Sequence, residues 1–329
     1  MARVLSGIQP TGDLHLGNYL GAVRQWAADQ HEADCYFCVV DLHALTVPRE
    51  PGQLRAQTLE TALALVAAGL DPDVCTLFVQ SQLPEHTQLS WILECVAGMG
   101  ELKRMTQFKD KAKGGEETTA RVGLFTYPVL QAADILLYDA DRVPVGDEQR
   151  QHLELCRDLA LRFNHRYGET FKVPEATVPK VGARIMDLQD PTSKMSKSAE
   201  TLRGVILILD EPDVIDRKVR RAVTDPGAQI RFDPEHKPGV SNLLQILGAA
   251  TDRDPEALAD EFEDYASLKK AVTEAVVELL RPVRERYLEL ATDPHTTEDF
   301  LAKGAAKAQS VASATLRRAH DAVGLYRPS

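Results

Sequence analysis

A turn that leads from a predicted strand into a predicted helix carries the first residues suited to nucleotide chemistry. Residues 7–18 read GIQPTGDLHLGN, and a helical pattern starts at Gly17. Backbone N–H groups at a helix N terminus attract phosphate, and a glycine there lets a flat base approach the main chain. His15 and Asn18 would then donate hydrogen bonds to phosphate. The alternative is a plain turn with a partly exposed loop histidine.

A second segment with suitable chemistry lies between the two halves of the chain. Residues 194–198 read KMSKS and follow Pro191 and Thr192. Two lysines around small hydroxyl side chains suit a mobile clamp that neutralises the β- and γ-phosphates of a nucleotide as pyrophosphate leaves. A solvated basic linker is the alternative. The pentapeptide is a weak signal by itself and a strong one together with the first turn.

Several common motifs are absent from the sequence. It contains no GxxxxGK[ST], no GxGxxG after the first strand, no HExxH and no GxSxG, so P-loop, dehydrogenase and α/β-hydrolase interpretations lose support. Cys35 and Cys38 form an isolated CxxC pair. In an extended strand their thiols would project to opposite faces, which favours a structural role over a metal or redox site.

The elements that position these segments change character along the chain. Up to about Val173, short apolar β-rich runs alternate with helical runs, which predicts βαβ units and a parallel sheet covered by helices on both faces. Beyond about Asp210, helical spacing with glycine or proline punctuation replaces the strand-like runs. We therefore expect an α/β nucleotide-binding layer followed by a helical domain.

Composition limits the class of protein. The 329 residues carry a net charge of −11, which excludes a general polycation that coats nucleic acid. Residues 101–113 and 214–221 each have a net charge of +3, and such patches are either solvated helix faces or docking sites for an anionic polymer.

The chain lacks an apolar run of roughly 18 residues and a signal-peptide pattern, so we expect a cytoplasmic protein with no membrane association. The five scattered cysteines are expected to be reduced.

The two motifs together carry a family resemblance. His15-Leu16-Gly17-Asn18 resembles the HIGH motif of the class I aminoacyl-tRNA synthetases, and residues 194–198 resemble their KMSKS motif. Within that class, residues 6–12, 104–109, 132–138 and 182–186 are similar to the bacterial tryptophan-specific members. The resemblance covers nearly the whole chain. It implies a Rossmann-like, parallel-sheet α/β catalytic domain at residues 1–207 and an all-helical anticodon-recognition domain at residues 208–329.

The resemblance also implies an activity and its partners. L-tryptophan would react with ATP to give tryptophanyl-adenylate and diphosphate, and the tryptophan would then pass to tRNA(Trp). Mg²⁺ would be held mainly by ATP phosphates and water, and no protein metal ligand is expected. The family further implies a homodimer, and residues 104–113 and 217–221 would help to hold the tRNA.

Site residues follow from the resemblance motif by motif. The ATP site would comprise Gln9, Pro10, Thr11, His15, Gly17, Asn18, Gly146, Asp147, Glu148, Ile185, Lys194, Met195, Ser196, Lys197 and Ser198. Lys194 and Lys197 would act catalytically on the phosphates, and Lys111 would reach the pyrophosphate. The tryptophan site would comprise Asp134, Tyr127, Gln149, His43, Gly7 and Gln107.

Asp134 has physical support of its own as the residue that recognises the side chain of the substrate. It is the one carboxylate in the apolar helical run of residues 127–138, and its burial without a donor would be costly. An indole N–H only donates, so an oriented acceptor suits tryptophan. A helix cap or a salt bridge is the alternative role for this aspartate.

Some residues depart from the family pattern, and other functions compete. Asn18 replaces the last histidine of HIGH, Gln131 stands where bacterial relatives usually have methionine, and Asp147-Glu148 reverses their usual order. A tyrosine-specific synthetase, a tryptophan-binding paralogue that charges no tRNA and a small nucleotidyltransferase are the rival hypotheses. Residues 104–109 and 132–138 argue against the tyrosine enzyme, the intact KMSKS against the paralogue, and length against the third.

Overall fold

The structure is a computed structural model, and it describes residues 1–105, 121–144, 146, 149–177, 184–196, 201–227 and 229–326. Its centre is a five-stranded sheet with the strand order β3-β2-β1-β4-β5, in which every neighbouring pair is parallel. The strands are β1 (Arg3–Ile8), β2 (Asp34–Val39), β3 (Thr76–Val79), β4 (Arg142–Pro144) and β5 (Glu175–Thr177). The predicted parallel α/β layer is confirmed.

Helices connect these strands. They are α1 (Leu16–Asn18), a π-helical turn (Tyr19–Val23), α2 (Arg24–Asp29), α3 (Asp41–Ala44), α4 (Pro51–Ala67), a 3-10 turn (Gln80–Gln82), α5 (Glu85–Glu94), α6 (Met99–Lys103), α7 (Val122–Leu136) and α8 (Arg150–Tyr167). The short β1 and β2 runs and the longer helical runs between them follow the alternation seen in the sequence.

The second half of the chain is helical, as predicted. After a 3-10 turn (Leu202–Gly204) come α9 (Pro212–Arg220), α10 (Pro238–Thr251), α11 (Pro255–Leu258), a 3-10 turn (Ala259–Glu261), α12 (Tyr265–Leu290) and α13 (Pro294–Val323). Proline occupies the first turn of α9, α10, α11 and α13, where its missing N–H costs no helical hydrogen bond. No described helix is both long and apolar enough to cross a membrane.

Alternating strand residues divide the core between the two faces of the sheet. Cys35 and Phe37 belong to one buried cluster, whereas Tyr36 and Cys38 belong to the other. Side chains that alternate along a strand must point to opposite faces, so each face needs its own cover of helices. The two thiols of the CxxC pair therefore lie on opposite faces, as expected, and all five cysteines are free.

The last helix returns to the edge of the sheet. Helix α13 packs against β3, and Gly304 comes so close that a Cβ there would overlap the carbonyl oxygen of Leu77. Further along α13, Ala308 and Ala312 join the same buried cluster as Phe78. Small residues at these positions allow the helix to approach the strand backbone closely.

Candidate active site

The turn between β1 and α1 is closed by two of the predicted ATP-site residues. His15 is the N-cap of α1, and its Nδ1 accepts a hydrogen bond from the Asn18 N–H at 3.2 Å, while the Asn18 Oδ1 accepts one from the His15 N–H at 3.3 Å. This reciprocal capping box satisfies two backbone donors. Because Nδ1 is an acceptor, the proton of the neutral ring lies on Nε2, which leaves Nε2 as the donor.

Residues 7–12 carry the chain from the carboxyl end of β1 into this turn. Thr11 donates its N–H to the Gln9 carbonyl at 2.9 Å, and Gly12 has a φ of +108°, which side-chain-bearing residues rarely adopt. Gly7 and Gln9 are exposed and Pro10 is buried. Ligands bind at the carboxyl ends of the strands in parallel α/β sheets, and this is where these residues lie.

A short strand-like segment links the turn to the second half of the chain. The Leu16 N–H donates to the Ile206 carbonyl at 2.8 Å, and the Ile208 N–H donates to the Leu14 carbonyl at 2.9 Å. His15 and Leu207 thus face each other across an antiparallel bridge. The HIGH-like turn is therefore held by the segment that follows the KMSKS-like motif.

The KMSKS-like motif begins on a hairpin that contacts the HIGH-like turn. The Met195 N–H donates to the Ile185 carbonyl at 3.0 Å, and Met186 bridges Lys194 in antiparallel fashion. A Cβ at Gly17 would lie 3.6 Å from the Met195 Cβ and 3.1 Å from the His15 ring. Gly17, Ile185 and Met195, predicted to meet at ATP, are therefore brought together.

Asp134 on α7 is 5% exposed, and both of its carboxylate oxygens accept hydrogen bonds. His43 Nε2 lies 2.8 Å from Oδ2, and His86 Nδ1 lies 2.7 Å from Oδ1. The Gln80 side-chain amide nitrogen lies 2.8 and 2.9 Å from the two oxygens. The other ring nitrogen of His86, Nε2, is 2.9 Å from the Tyr138 hydroxyl. Since a carboxylate only accepts, both histidines donate to it.

The charge state of Asp134 follows from these contacts. Burial raises the pKa of the carboxyl, but hydrogen bonds from His43 and His86 hold the pKa of Asp134 well below its usual range. Asp134 is thus an ionised acceptor at neutral pH. Burial raises the pKa of the Tyr138 phenol far above its ordinary value, so that hydroxyl stays protonated and donates to His86.

Other predicted tryptophan-site residues adjoin this cluster. The ring of Tyr127 lies edge-on to His43 with the centroids 6.2 Å apart, and the Tyr127 hydroxyl is 2.8 Å from His152 Nε2. Burial raises the pKa of Tyr127 to about 12. Gln149 accepts a hydrogen bond from Gln131 at 3.4 Å and donates its N–H to the carbonyl of Gly146, the predicted ATP-site residue, at 2.9 Å.

Sequence reasoning missed three members of the cluster around Asp134. Gln80 directly follows β3, so the rule that ligands gather at the carboxyl ends of parallel strands would have found it. Tyr138 lies one helical turn beyond Asp134. His86, in the first turn of α5, gave no signal in the sequence.

Six predicted residues lie outside the described ranges: Gln107, Lys111, Asp147, Glu148, Lys197 and Ser198.

Comparison with known proteins gives the same family from sequence and from structure. Residues 1–281 match the family described as tRNA synthetases class I (W and Y). The chain is 55% identical to tryptophan--tRNA ligase 1 of Streptomyces coelicolor, with 100% of this chain and 98% of that protein aligned.

Two solved structures extend the similarity to the fold. Tryptophanyl-tRNA synthetase from Mycoplasma pneumoniae matches at 39% identity and a TM-score of 0.91, covering 99% of this chain and 98% of the other. The Campylobacter jejuni enzyme, complexed with ADP and tryptophan, matches at 35% identity and a TM-score of 0.84 over 98% and 100% of the two chains.

Proposed function

The chain belongs to the class I aminoacyl-tRNA synthetases of the tryptophan and tyrosine group, and on this premise we propose that it is a tryptophan-specific enzyme that charges tRNA(Trp). It activates L-tryptophan with ATP to tryptophanyl-adenylate, releases diphosphate and transfers the tryptophan to the tRNA. The observation that carries the specificity is the buried, ionised Asp134, because an acceptor held in a fixed orientation matches an indole N–H.

Activation needs no covalent nucleophile on the protein. The tryptophan carboxylate attacks the α-phosphorus in line, a P–O bond forms, and the bond to the leaving pyrophosphate breaks. The chain supplies position and charge: His15 Nε2–H and the Asn18 amide face the phosphates, and the Lys194 ammonium neutralises charge as pyrophosphate leaves. Lys197 and Lys111 are assigned the same task.

The nucleotide and the amino acid occupy adjoining positions at the carboxyl ends of the strands. The adenine lies against the backbone of Ile185, within the hairpin that carries Met195 and Ser196, while Gln9, Pro10, Thr11 and Gly17 form the floor. Gly146 with residues 147–148 holds the ribose. The indole lies between Asp134 and the wall formed by Tyr127, His43, Gln149 and Gly7, and Gln107 is assigned to the same site. His43 must yield part of its hold on Oδ2 to the indole, because each carboxylate oxygen already receives two contacts.

Mg²⁺ accompanies the ATP and is held by phosphate oxygens and water. The side chains of the HIGH-like turn that are assigned to phosphate, the His15 ring and the Asn18 amide, suit phosphate better than a hard cation. Across the described ranges, no cluster of three or more His, Cys, Asp and Glu side chains offers a metal site.

The tRNA is assigned to basic surface and to the helical part of the chain. Arg104, Arg217 and Arg221 are exposed, whereas Lys218 is anchored to Asp210 at 2.6 Å. The exposed arginines are therefore the ones presented to a phosphate backbone. Residues 1–207 form the catalytic unit, residues 208–329 read the anticodon, and the enzyme works in the cytoplasm.

A homodimer forms through an apolar groove on the catalytic unit. Trp91, Met99 and Val122 are 68%, 64% and 77% exposed and line a cavity of about 510 Å³ together with Phe125. Large exposed apolar side chains that cluster in this way are typical of interaction surfaces. The occupant we assign is a second copy of this chain.

The deciding experiment is amino-acid-dependent ATP–pyrophosphate exchange with tryptophan and tyrosine side by side, followed by charging of total tRNA. Wild type should exchange and charge with tryptophan only, and Asp134→Ala should lose exchange. Glu85→Ala is the matched control, because Glu85 is a carboxylate of similar burial whose Oε1 contacts Ser313 and Gln309 of α13. Exchange with tyrosine would make the protein the sister enzyme, and tryptophan binding without exchange would make it a non-charging paralogue.

A further inference from the structure

A buried asparagine of the helical half grips the backbone of the hairpin that carries the KMSKS-like motif. Asn242 lies on α10 and is 4% exposed. Its Oδ1 accepts from the Met186 N–H at 2.9 Å, and its Nδ2 donates to the Met186 carbonyl at 2.9 Å. One side chain thus satisfies both main-chain groups of a residue that lies 56 positions away in the chain.

The pattern of hydrogen bonds in the hairpin explains why Met186 needs this partner. The Asp187 N–H donates to the Ser193 carbonyl at 2.9 Å, and the Met195 N–H donates to the Ile185 carbonyl at 3.0 Å. These two bonds flank the Met186–Lys194 bridge, so the N–H and C=O of Met186 point away from the opposite strand. The Asn242 amide takes the place that a third strand would occupy.

The two hydrogen bonds between Asn242 and Met186 lie next to groups assigned to ATP. Met186 directly follows Ile185, and the opposite strand of the hairpin continues from Lys194 into Met195, which packs against Gly17. A shift of Met186 would therefore move both the adenine contact and the first lysine of the motif. No described contact runs from Asn242 to the cluster around Asp134.

We propose that Asn242 is a positioning residue for ATP: through both hydrogen bonds to Met186 it fixes the hairpin of residues 185–195 against the HIGH-like turn. This inference rests on the proposed function. It gives the helical half an indirect part in nucleotide binding, through Met186, and it separates the ATP side of the site from the tryptophan side.

The test compares Asn242→Ala with a neighbour on the same helix. Ser241 is 3% exposed, and its hydroxyl accepts one hydrogen bond, from the Asp233 N–H at 2.8 Å, away from the hairpin. Loss of two buried hydrogen bonds should raise the KM for ATP about ten- to hundredfold in pyrophosphate exchange, with the KM for tryptophan changed less than about threefold. Ser241→Ala should lower stability and leave both KM values near those of wild type.

A second variant tests the geometry of the amide. Asn242→Asp keeps the acceptor for the Met186 N–H but sets a carboxylate oxygen against the Met186 carbonyl, so its KM for ATP should be high at neutral pH. Protonation of the new carboxyl restores a donor, so the ratio of its KM for ATP to that of wild type should fall as the pH is lowered.

The outcomes are distinct. Equal increases in both KM values, an increase in Ser241→Ala that matches Asn242→Ala, or failure of both Asn242 variants to fold would reduce Asn242 to a structural role and overturn the proposal. Failure of the proposed function itself would be visible separately, as wild-type protein without tryptophan-dependent exchange.

Discussion

Replacement of His86 by phenylalanine tests the buried network behind the substrate acceptor. His86 and Tyr138 are fully buried, and Asp134 is nearly so. His86→Phe keeps a ring of similar size in contact with Phe78 but removes the 2.7 Å bond to Asp134 and the 2.9 Å bond to Tyr138. The carboxylate retains its hydrogen bonds from Gln80 and His43. The substitution therefore removes one hydrogen bond to a charged group and leaves the phenol of Tyr138 without a partner.

The magnitude follows from those two losses. A hydrogen bond to a charged group contributes about 1.5–3 kcal/mol, and a buried hydroxyl left without a partner costs about 1–3 kcal/mol. His86→Phe should therefore lower the free energy of unfolding by about 2.5–6 kcal/mol. Tyr138→Phe alone leaves the His86 Nε2 acceptor unpaired and should cost about 1–3 kcal/mol. The double variant leaves neither group unpaired and avoids both penalties, so its loss should be smaller than the sum of the two single losses by about 2–6 kcal/mol.

Urea unfolding of wild type, the two single variants and the double variant measures this coupling through the midpoints and slopes. The KM for tryptophan, measured alongside, should rise in His86→Phe because Asp134 loses one of its fixed donors. Losses that add to within about 0.5 kcal/mol would show that the two side chains do not interact and would refute the network.

Three further outcomes are expected. Gly304→Ala forces a Cβ into the Leu77 carbonyl oxygen, so α13 must move off β3, and a thermal melt should show a loss of several degrees; an unchanged Tm would contradict the close approach. Asp134→Asn should lower stability at pH 7. Because the pKa of the native carboxyl is depressed, the stability advantage of wild type should be full above the unfolded pKa of about 4 and should fade as the pH falls through the native pKa. A difference in stability between wild type and Asp134→Asn that stays constant down to pH 2 would contradict the ionised state. Asn18→Ala removes half of the capping box with His15 and should cost about 0.5–2 kcal/mol and raise the KM for ATP, whereas an unaltered KM would leave Asn18 as a cap only.

The sequence predicted the sheet and much of the site because both depend on local patterns. The alternation of β-rich and helical runs needs only neighbouring residues, and the HIGH-like and KMSKS-like segments are short. Asp134 could be singled out because a carboxylate in an apolar helix must find donors. The identity of those donors could not be predicted, since Gln80 and His86 lie 54 and 48 positions away and meet Asp134 only after the sheet has formed. The hydrogen bonds between Asn242 and Met186 could not be predicted for the same reason, since these two residues lie 56 positions apart.

The closure of the sheet by α13 also sets an order of events during synthesis. Strand β3 emerges from the ribosome long before Gly304, and at roughly 5–20 residues per second the interval is on the order of tens of seconds. Throughout that time the edge of β3 lacks the helix that later covers it, and an uncovered edge strand is a template for pairing with another chain. A ribosome that stalls within the final helix therefore leaves a chain with all five strands made and one edge open to aggregation.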